Sequence, residues 1–329
     1  MHTTTNPIAT LLIGRGLGGR AFHAPLLGAL AEFDLGAIAG SANALSTIAA
    51  GGLELVVIST PNQTHFPLAR AALEAGCHVV IDKPFTATLD EADALIALAA
   101  ARGRMLSVFH NRRWDGDFLT VRKLLDERAI GEPVLVEMHW DRFRPAIKSG
   151  WREVAAEGAG LLNDLGPHMI DQALQLFGAP KSVTADLCAQ REGAQVDDYF
   201  DLTLAYDRLR VRVAGATLIA DPRPRFALHG TRGSFVKAGL DPQEEALKAG
   251  KSPLSPALFL DERPGILTRD GTRTEIPTEP GCYLAYYRGV ARAIRDGAAP
   301  PVEPADARAV QGLIALAQQS AADGRSIPL

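Results

Sequence analysis

The N-terminal third of the chain repeats one pattern, a short apolar run followed by a longer segment with helical spacing. The apolar runs lie at 8–13, 34–40, 53–60 and 78–85, and one more follows at about 104–114. Runs that are apolar throughout are typical of strands buried on both faces, and helical crossovers fit between them. The alternation predicts an α/β fold in which helices wind doubly around a parallel sheet.

The first apolar run leads straight into a glycine-rich segment that precedes a predicted helix. Gly14, Gly16 and Gly19 have the G-x-G-x-x-G spacing. Between a strand and a helix, such glycines allow a tight turn and bring the backbone and the helix N-terminus close to a pyrophosphate. The alternative is a turn without a ligand, but the flanking strand and helix favour dinucleotide binding. The candidate contacts in this loop are Gly14, Arg15, Gly16, Leu17, Gly18 and Gly19.

Polar residues follow three other predicted strands, each at its carboxyl end: Pro61–His65, Asp82–Lys83 and Asn111–Arg113. Ligands of open parallel sheets bind at this edge, so we expect these residues and the glycine loop to lie along one rim. For His65 the alternative is that it only caps or packs its own helix. The further candidate cofactor contacts are Ser41, Thr60, Pro61, Asn62, His65, Asp82 and Lys83.

The end of the second predicted strand lacks the acid that usually holds the ribose of NAD. Residues 40–42 are Gly, Ser and Ala. Because an acid there would repel the extra phosphate of NADP, its absence favours NADP over NAD. No Lys or Arg lies between Arg20 and Arg70, which leaves Arg15 or Arg20 as the phosphate partner. The link at 41–52 has room for one short helix, so either a strand of the usual sheet is absent or a loop is missing from the sequence.

The pattern changes after the fifth strand, and we divide the chain into a first domain, 1–112, and a second domain, 113–329. In the second, several segments alternate like strands with one solvated face, and the stretches 206–209 and 230–233 are typical of hairpin turns. This predicts an α+β domain with an open, mostly antiparallel sheet. Its predicted strands are 133–143, 182–188, 199–206, 209–216, 225–229 and 234–238, and its predicted helices include 117–128, 283–296 and 304–322.

Composition narrows the class of protein. The formal net charge of −4 gives no general reason to expect binding to nucleic acid or membranes. Cys77, Cys188 and Cys282 are scattered, so neither a disulfide framework nor a metal site is predicted, and the N-terminus lacks the features of a signal peptide. We expect a cytoplasmic location. The apolar face of the second domain's sheet could support a homodimer or a higher homo-oligomer.

One predicted helix carries an acid and an imidazole four residues apart. In "LLNDLGPHMIDQALQLFG", residues 161–178, these are Asp164 and His168, while Ile170 and its helical neighbours form the apolar face. Asp164 could instead be a helix cap on a solvated face. If the two share one side of the helix, the carboxylate orients the imidazole and raises its basicity. Oxidation of an alcohol needs such a base.

Lys83 is predicted at the binding rim, where it can donate to a substrate oxygen and stabilise alkoxide charge. The alternative is an exposed lysine at a strand end. Asn111, Arg112 and Trp114 follow the fifth strand, and we predict that they bind a polyhydroxylated substrate, with Arg142 on a further wall. A polar joint between domains is the alternative for these residues. Trp151 and Arg152 are weaker candidates.

Together these motifs resemble the glucose–fructose oxidoreductase / inositol dehydrogenase / MocA (Gfo/Idh/MocA) family over nearly the whole chain. The resemblance rests on "GRGLGGRAFHAPLL", "STPNQTH", "VVIDKPF", "NRRWDGDF", "NDLGPHMIDQALQLFG" and "HGTRGSFVKAGLDPQE". The first, fourth and last of these resemble the NADP-linked scyllo-inositol dehydrogenase branch. The resemblance implies a Rossmann-type first domain, catalytic roles for Lys83, Asp164 and His168, and a cis bond between Lys83 and Pro84.

The resemblance implies an NAD(P)-dependent oxidoreductase that transfers a hydride between nicotinamide and a ring carbon of a sugar or cyclic polyol. His168 is then the acid/base, Asp164 orients it, and Lys83 polarises the oxygen. Two alternatives remain open. Some relatives cleave glycosides by transient oxidation with bound nicotinamide, and a non-catalytic NADP-binding sensor would signal through a partner.

Overall fold

The computed structural model describes residues 6–147, 153 and 158–329 of the chain. Its strands are β1 Ile8–Ile13, β2 Phe33–Ala39, β3 Leu55–Ile58, β4 His78–Ile81, β5 Leu106–Val108, β6 Pro133–Asp141, β7 Ser182–Cys188, β8 Tyr199–Ala205, β9 Arg210–Ala216, β10 Phe226–Gly230, β11 Gly233–Lys237, β12 Gly265–Arg269, β13 Thr272–Ile276 and β14 Ile327–Pro328. Its α-helices are α1 Ala24–Gly28, α2 Ser41–Ala49, α3 His65–Glu74, α4 Leu89–Arg102, α5 Gly116–Asp126, α6 Leu161–Phe177, α7 Gln243–Lys248, α8 Leu284–Asp296 and α9 Pro304–Asp323.

The chain divides into two compact units. Within the described residues, the first comprises Met1–Trp114, Pro242–Phe259 and Cys282–Ala309, and the second comprises Asp115–Asp241, Leu260–Gly281 and Val310–Leu329. The first unit contains a parallel sheet and the second a mostly antiparallel one. The predicted fold class is confirmed.

In the first unit the sheet has the order β2-β1-β3-β4-β5, and every pairing is parallel. β3 is buried along its whole length and β4 at every residue after His78, as expected for central strands covered on both faces. The carboxyl ends of these strands carry the glycine loop, the segment after β3, and Asp82–Lys83 after β4. This edge therefore collects the predicted cofactor contacts of the first unit.

The short link between β2 and β3 contains a single helix, α2. The chain runs from β2 through α2 to β3, and β3 pairs with β1 on the side opposite β2. In the described residues β2 is consequently an edge strand, and much of it is exposed. The sequence left two alternatives, an absent strand or a missing loop. In the described residues α2 completes the crossover, and no further strand lies beside β2.

Two late segments of the chain belong to the first unit, whereas the sequence placed everything after residue 112 in the second domain. The reason is that aromatic residues of α8 are buried in the core of the first unit. Tyr286 and Tyr287 of α8 are fully buried and share one apolar core with Leu12 of β1 and Phe109. Because this core needs α8 to cover it, a single cut along the sequence does not separate the two units.

The second unit contains a nine-stranded sheet in the order β13-β12-β11-β10-β6-β9-β8-β7-β14. β6 and β9 pair in parallel, and the other pairs are antiparallel. The turns after β8 and β10 join antiparallel neighbours, which confirms both predicted hairpins. Helix α6 packs on β8 and β9, and its apolar side joins the core of this sheet.

Within residues 6–147 and 158–329, no helix has the length and apolarity to span a lipid bilayer.

Candidate active site

The glycine loop is shaped by close backbone contacts at three of its four glycines. Gly14 has a φ of +124°, and a Cβ there would lie 2.0 Å from the carbonyl oxygen of Ser59. A Cβ on Gly19 would lie 2.1 Å from the carbonyl oxygen of Gly14, and one on Gly18 would lie 2.5 Å from Oγ of Ser59. Gly16 differs, because a Cβ there meets nothing within 4 Å. The loop is thus folded tightly on one side and open at Gly16.

Beside the loop, Asp82 joins the end of β4 to Lys83. Oδ2 of Asp82 accepts a hydrogen bond of 2.9 Å from the Ser59 hydroxyl, and Oδ1 accepts one of 2.8 Å from the backbone N–H of Lys83. The Lys83–Pro84 peptide is cis, which confirms that expectation. Burial alone would raise the pKa of Asp82. The contacts with His23, Lys83 and Ser59 outweigh burial and hold that pKa well below its usual value.

A fully buried histidine supports this carboxylate. Nε2 of His23 lies 3.5 Å from Oδ2 of Asp82, and Nδ1 lies 2.5 Å from the hydroxyl of Tyr287. Burial raises the pKa of Tyr287, so its O–H remains the donor to Nδ1. Nδ1 thus accepts from Tyr287, while Nε2 faces the Asp82 carboxylate. Sequence reasoning missed this contact, because His23 and Tyr287 are 264 positions apart.

The segment after β3 is organised around His65. Its ring is 1% exposed, with Nε2 2.9 Å from the Thr60 carbonyl oxygen and Nδ1 2.9 Å from that of Pro84. Burial lowers the pKa of His65. The ring therefore packs between the segment that carries Thr60 and the segment that carries Lys83. These contacts agree with the alternative in which His65 has a packing role. Cofactor contact by His65 stays a prediction.

Asn62 is a second buried polar residue of this segment. Its side chain is 4% exposed, and within the described part of the chain its Oδ1 has no hydrogen-bond partner. A buried amide oxygen without a partner is destabilising unless a ligand or water satisfies it. Thr60 and Pro61 precede it, and Ser41 lies exposed at the first position of α2.

In the second unit, Asp164 and His168 both lie within α6, one turn apart, and so occupy the same side of the helix. Nη1 of Arg142 lies 3.3 Å from Oδ2 of Asp164. The imidazole of His168 is 8% exposed and lies against the indole of Trp140, with 5.8 Å between ring centroids. The side of α6 that carries the acid and the imidazole is therefore held by residues at the end of β6.

Helix α6 begins before Pro167, and Asp197 caps it in place of Asp164. α6 starts at Leu161, so Pro167 lies inside the helix. Asp197 accepts a 2.7 Å hydrogen bond from the N–H of Leu162, and its own carbonyl oxygen accepts from Leu161. A Cβ on Gly160 would meet the Asp197 carboxylate at 2.0 Å. Asp164 is consequently not the cap, and its carboxylate interacts with Arg142.

Sequence reasoning also missed Arg225. Its guanidinium is buried, lies 5.6 Å from the Trp140 ring centroid and donates a 2.5 Å hydrogen bond to Gln172. Gln172 is one turn beyond His168 on α6. The same side of the helix thus continues as a buried polar row. A polar residue four positions after His168 was a visible signal in the sequence, but its partner Arg225, which immediately precedes β10, was not.

The residues after β5 lie in a 3-10 turn, Asn111–Trp114, whose first three residues are buried. Nη1 of Arg112 donates a 2.9 Å hydrogen bond to the Tyr283 hydroxyl, and Nη2 pairs with Glu244. The Trp114 ring meets Tyr286 edge-on at 5.6 Å. Arg112 and Trp114 therefore fasten α7 and α8 within the first unit. Their contact with substrate remains a prediction.

Trp151 and Arg152 lie outside the described residues. Among those described, no group of three or more His, Cys, Asp or Glu side chains is placed to hold a metal ion.

The loop geometry fits a dinucleotide. Gly14, Gly18 and Gly19 leave no room for side chains, and the space at Gly16 is open. Asn62 follows Ser59, which contacts the loop, and presents an unsatisfied buried oxygen. Close backbone approach at a strand–helix junction is what pyrophosphate binding requires.

Comparisons with known proteins agree. The model of the oxidoreductase family's C-terminal alpha/beta domain, GFO_IDH_MocA_C, matches residues 122–329, and that of its NAD-binding Rossmann fold, GFO_IDH_MocA, matches residues 36–110. The uncharacterized oxidoreductase YdgJ of Escherichia coli is 45% identical over 94% of this chain and 95% of its own. The scyllo-inositol 2-dehydrogenase (NADP(+)) IolW of Bacillus subtilis is 40% identical over 97% and 95%. The solved structure of YvaA from Bacillus subtilis has a TM-score of 0.94 at 39% identity, covering 98% of this chain and 99% of that one.

Proposed function

Because this chain belongs to the Gfo/Idh/MocA oxidoreductase family, with its NAD-binding domain, we propose that it oxidises or reduces a ring carbon of a sugar or cyclic polyol of the inositol type. The observation that carries the proposal is the Asp164–His168 pair on one side of α6, with Asp164 held by Arg142 and His168 against Trp140. A positioned imidazole with an adjacent carboxylate is suited to moving a hydroxyl proton.

Gly14, Gly16, Gly18 and Gly19 would hold the dinucleotide through their backbone, with Asn62 among the further contacts. When bound, the nicotinamide ring supplies or accepts the hydride. Every other role belongs to side chains of this chain. The family resemblance to IolW supports an inositol-like substrate, since that relative is an inositol dehydrogenase.

His168 is the proposed acid/base. In the oxidation direction its imidazole takes the hydroxyl proton while the carbon–hydrogen bond breaks, and in reduction it returns that proton. Asp164 is a positioning residue that sets the electrostatics around the imidazole. The Arg142 guanidinium lies 3.3 Å from the Asp164 carboxylate and helps to hold it.

Lys83 is the proposed electrophile. Its ammonium donates to the substrate oxygen and stabilises the negative charge that develops there as the proton leaves. Asp82 lies directly before it, and its carboxylate, whose pKa is held low, accepts a hydrogen bond from the backbone N–H of Lys83. The two proposed roles are different: Lys83 stabilises negative charge on oxygen, and His168 moves a proton.

The test is to follow NAD(P)H formation with inositols and aldoses for the wild type, His168→Gln and Lys83→Met. We expect each substitution to lower kcat by about 100-fold or more, the usual share of one acid/base or charge-stabilising group. The pH profile supplies an independent readout: the limb that reports the base should be lost in His168→Gln. Turnover of His168→Gln within a few-fold of wild type would contradict the acid/base role.

The same assay separates the alternatives. A glycosidase that works by transient oxidation would release sugar from glycosides with no net change in NADPH absorbance. A sensor would bind NADPH and turn over no polyol. We also propose a cytoplasmic location, which the three free thiols support. The expected apolar face of the second unit's sheet supports a homo-oligomer, and light scattering tests the oligomeric state.

A further inference from the structure

The carboxyl end of β2 carries an arginine and no acid. Arg15, from the glycine loop, donates a 3.0 Å hydrogen bond through Nη2 to the carbonyl oxygen of Ile38. Ile38 is the penultimate residue of β2, and α2 starts at Ser41 just beyond it. The guanidinium is therefore fixed where a dinucleotide-binding fold holds the adenosine ribose.

The hydrogen bond to Ile38 uses one of the five N–H groups of the guanidinium. Arg15 is exposed, and within the described part of the chain its other donors have no partner. An edge strand leaves carbonyl oxygens such as that of Ile38 unpaired, so Arg15 has an anchor that does not neutralise its charge. It is a cation held in place by a neutral group.

The surroundings favour an anion at this position. No Asp or Glu lies between Asp34 and Glu54, and Glu54 pairs with Arg295. The N-cap of α2, Gly40, offers no side-chain oxygen to the first amides of that helix. Those amides point toward the same end of β2 and are favourable to negative charge.

We propose that Arg15 is the residue that binds the 2′-phosphate of NADP(H), together with the first turn of α2, and so makes the protein selective for NADP over NAD. This inference rests on the dinucleotide binding of the proposed function and adds the residue that decides between the two dinucleotides. Arg20, the other arginine of the loop, is not held at β2 and has no part in the selectivity. The planar guanidinium can meet a phosphate with two parallel hydrogen bonds.

The test measures dissociation constants of the full-length protein for NADPH and NADH by fluorescence titration. Adenosine 2′,5′-bisphosphate and adenosine 5′-monophosphate are compared by calorimetry. Wild type, Arg15→Gln, Arg15→Lys and Arg20→Gln are used. We expect wild type to prefer NADPH by about tenfold or more, and Arg15→Gln to lose most of that preference. Arg15→Lys should keep part of it through its charge. Arg20→Gln, with the same loss of charge in the same loop, should keep it within about twofold.

Equal binding of NADPH and NADH by wild type would overturn the inference, as would an unchanged preference in Arg15→Gln or its loss in Arg20→Gln. These results leave the proposed function intact. If wild type binds neither dinucleotide, the proposed function fails. If the Arg15-dependent preference is found but no polyol is turned over, the inference stands and the substrate proposal fails.

Discussion

Nε2 of the His23 imidazole lies 3.5 Å from Oδ2 of Asp82, the residue that immediately precedes Lys83. On its other side the ring contacts the Tyr287 hydroxyl at 2.5 Å. The proposed electrophile is thus linked through Asp82 to two buried polar side chains, His23 and Tyr287 of α8. Since Asp82 accepts a hydrogen bond from the backbone N–H of Lys83, a substitution at Tyr287 should alter the position of Lys83.

Tyr287→Phe should lower kcat by about three- to tenfold with little change in KM for substrate, because a loosened His23 no longer fixes Asp82. The lost hydrogen bond should also destabilise the protein by about 1–2 kcal/mol. Steady-state kinetics and chemical unfolding measure the two effects separately.

Tyr286→Phe is the matched control. Tyr286 is equally buried in α8, but its hydroxyl contacts Ser107 at 3.0 Å and not His23. It should show a similar loss of stability and a kcat close to wild type. Equal kcat values for the two variants would mean that the Tyr287–His23 contact has no role in positioning Lys83.

Asp82→Asn should change the pH dependence of stability. The folded pKa of Asp82 is depressed, so its charge stabilises the folded state above the ordinary carboxyl pKa of about 4 and this stabilisation is lost as pH falls toward the folded value. The variant should be about 1–3 kcal/mol less stable than wild type at pH 7. Urea unfolding at pH 7, 5, 4 and 3 should show the gap narrowing only below about pH 4. A constant gap would contradict the assignment.

Gly16→Ala should fold normally and bind dinucleotide weakly. A Cβ there meets no protein atom within 4 Å, so the melting temperature should change little, whereas the methyl group would occupy the space left for the pyrophosphate. We expect NADPH affinity to fall by about tenfold. Gly14→Ala provides the contrast: its φ of +124° and the 2.0 Å contact with Ser59 should lower stability by about 2–4 kcal/mol. Unimpaired NADPH binding by Gly16→Ala would show that the open side of the loop is not the pyrophosphate site.

Asp197→Ala and Asp164→Asn should separate capping from catalysis. Asp197 accepts from the first turn of α6, so its removal should lower the free energy of unfolding by about 1 kcal/mol or more. The side chains of Asp164 and its partner Arg142 are each about one-quarter exposed. Asp164→Asn should therefore lower the free energy of unfolding by less than about 1 kcal/mol. Its kcat should nevertheless fall more than that of Asp197→Ala. A larger stability loss in Asp164→Asn would restore the capping role to Asp164.

Much of the architecture could be read from local pattern. The ends of the helix Leu89–Arg102 are encoded within a few residues: a capping box joins Thr88 and Glu91, and a left-handed Gly103 follows the last turn. The all-apolar runs at β3 and β4 gave the parallel sheet for the same reason. Asp164 and His168 were expected on one side of a helix, and the period of 3.6 residues guarantees this once the helix forms.

Other features depend on residues far apart in sequence. The cap of α6 by Asp197, the contact of Tyr287 with His23, and the membership of α8 in the first unit each join positions separated by tens to hundreds of residues. The sequence by itself determined the elements, the glycine loop and the types of reacting groups, because helical and strand periodicity and backbone sterics act locally. Only the tertiary structure decided which partner holds each of those groups, because burial and hydrogen bonding pair whatever side chains the packed elements bring together.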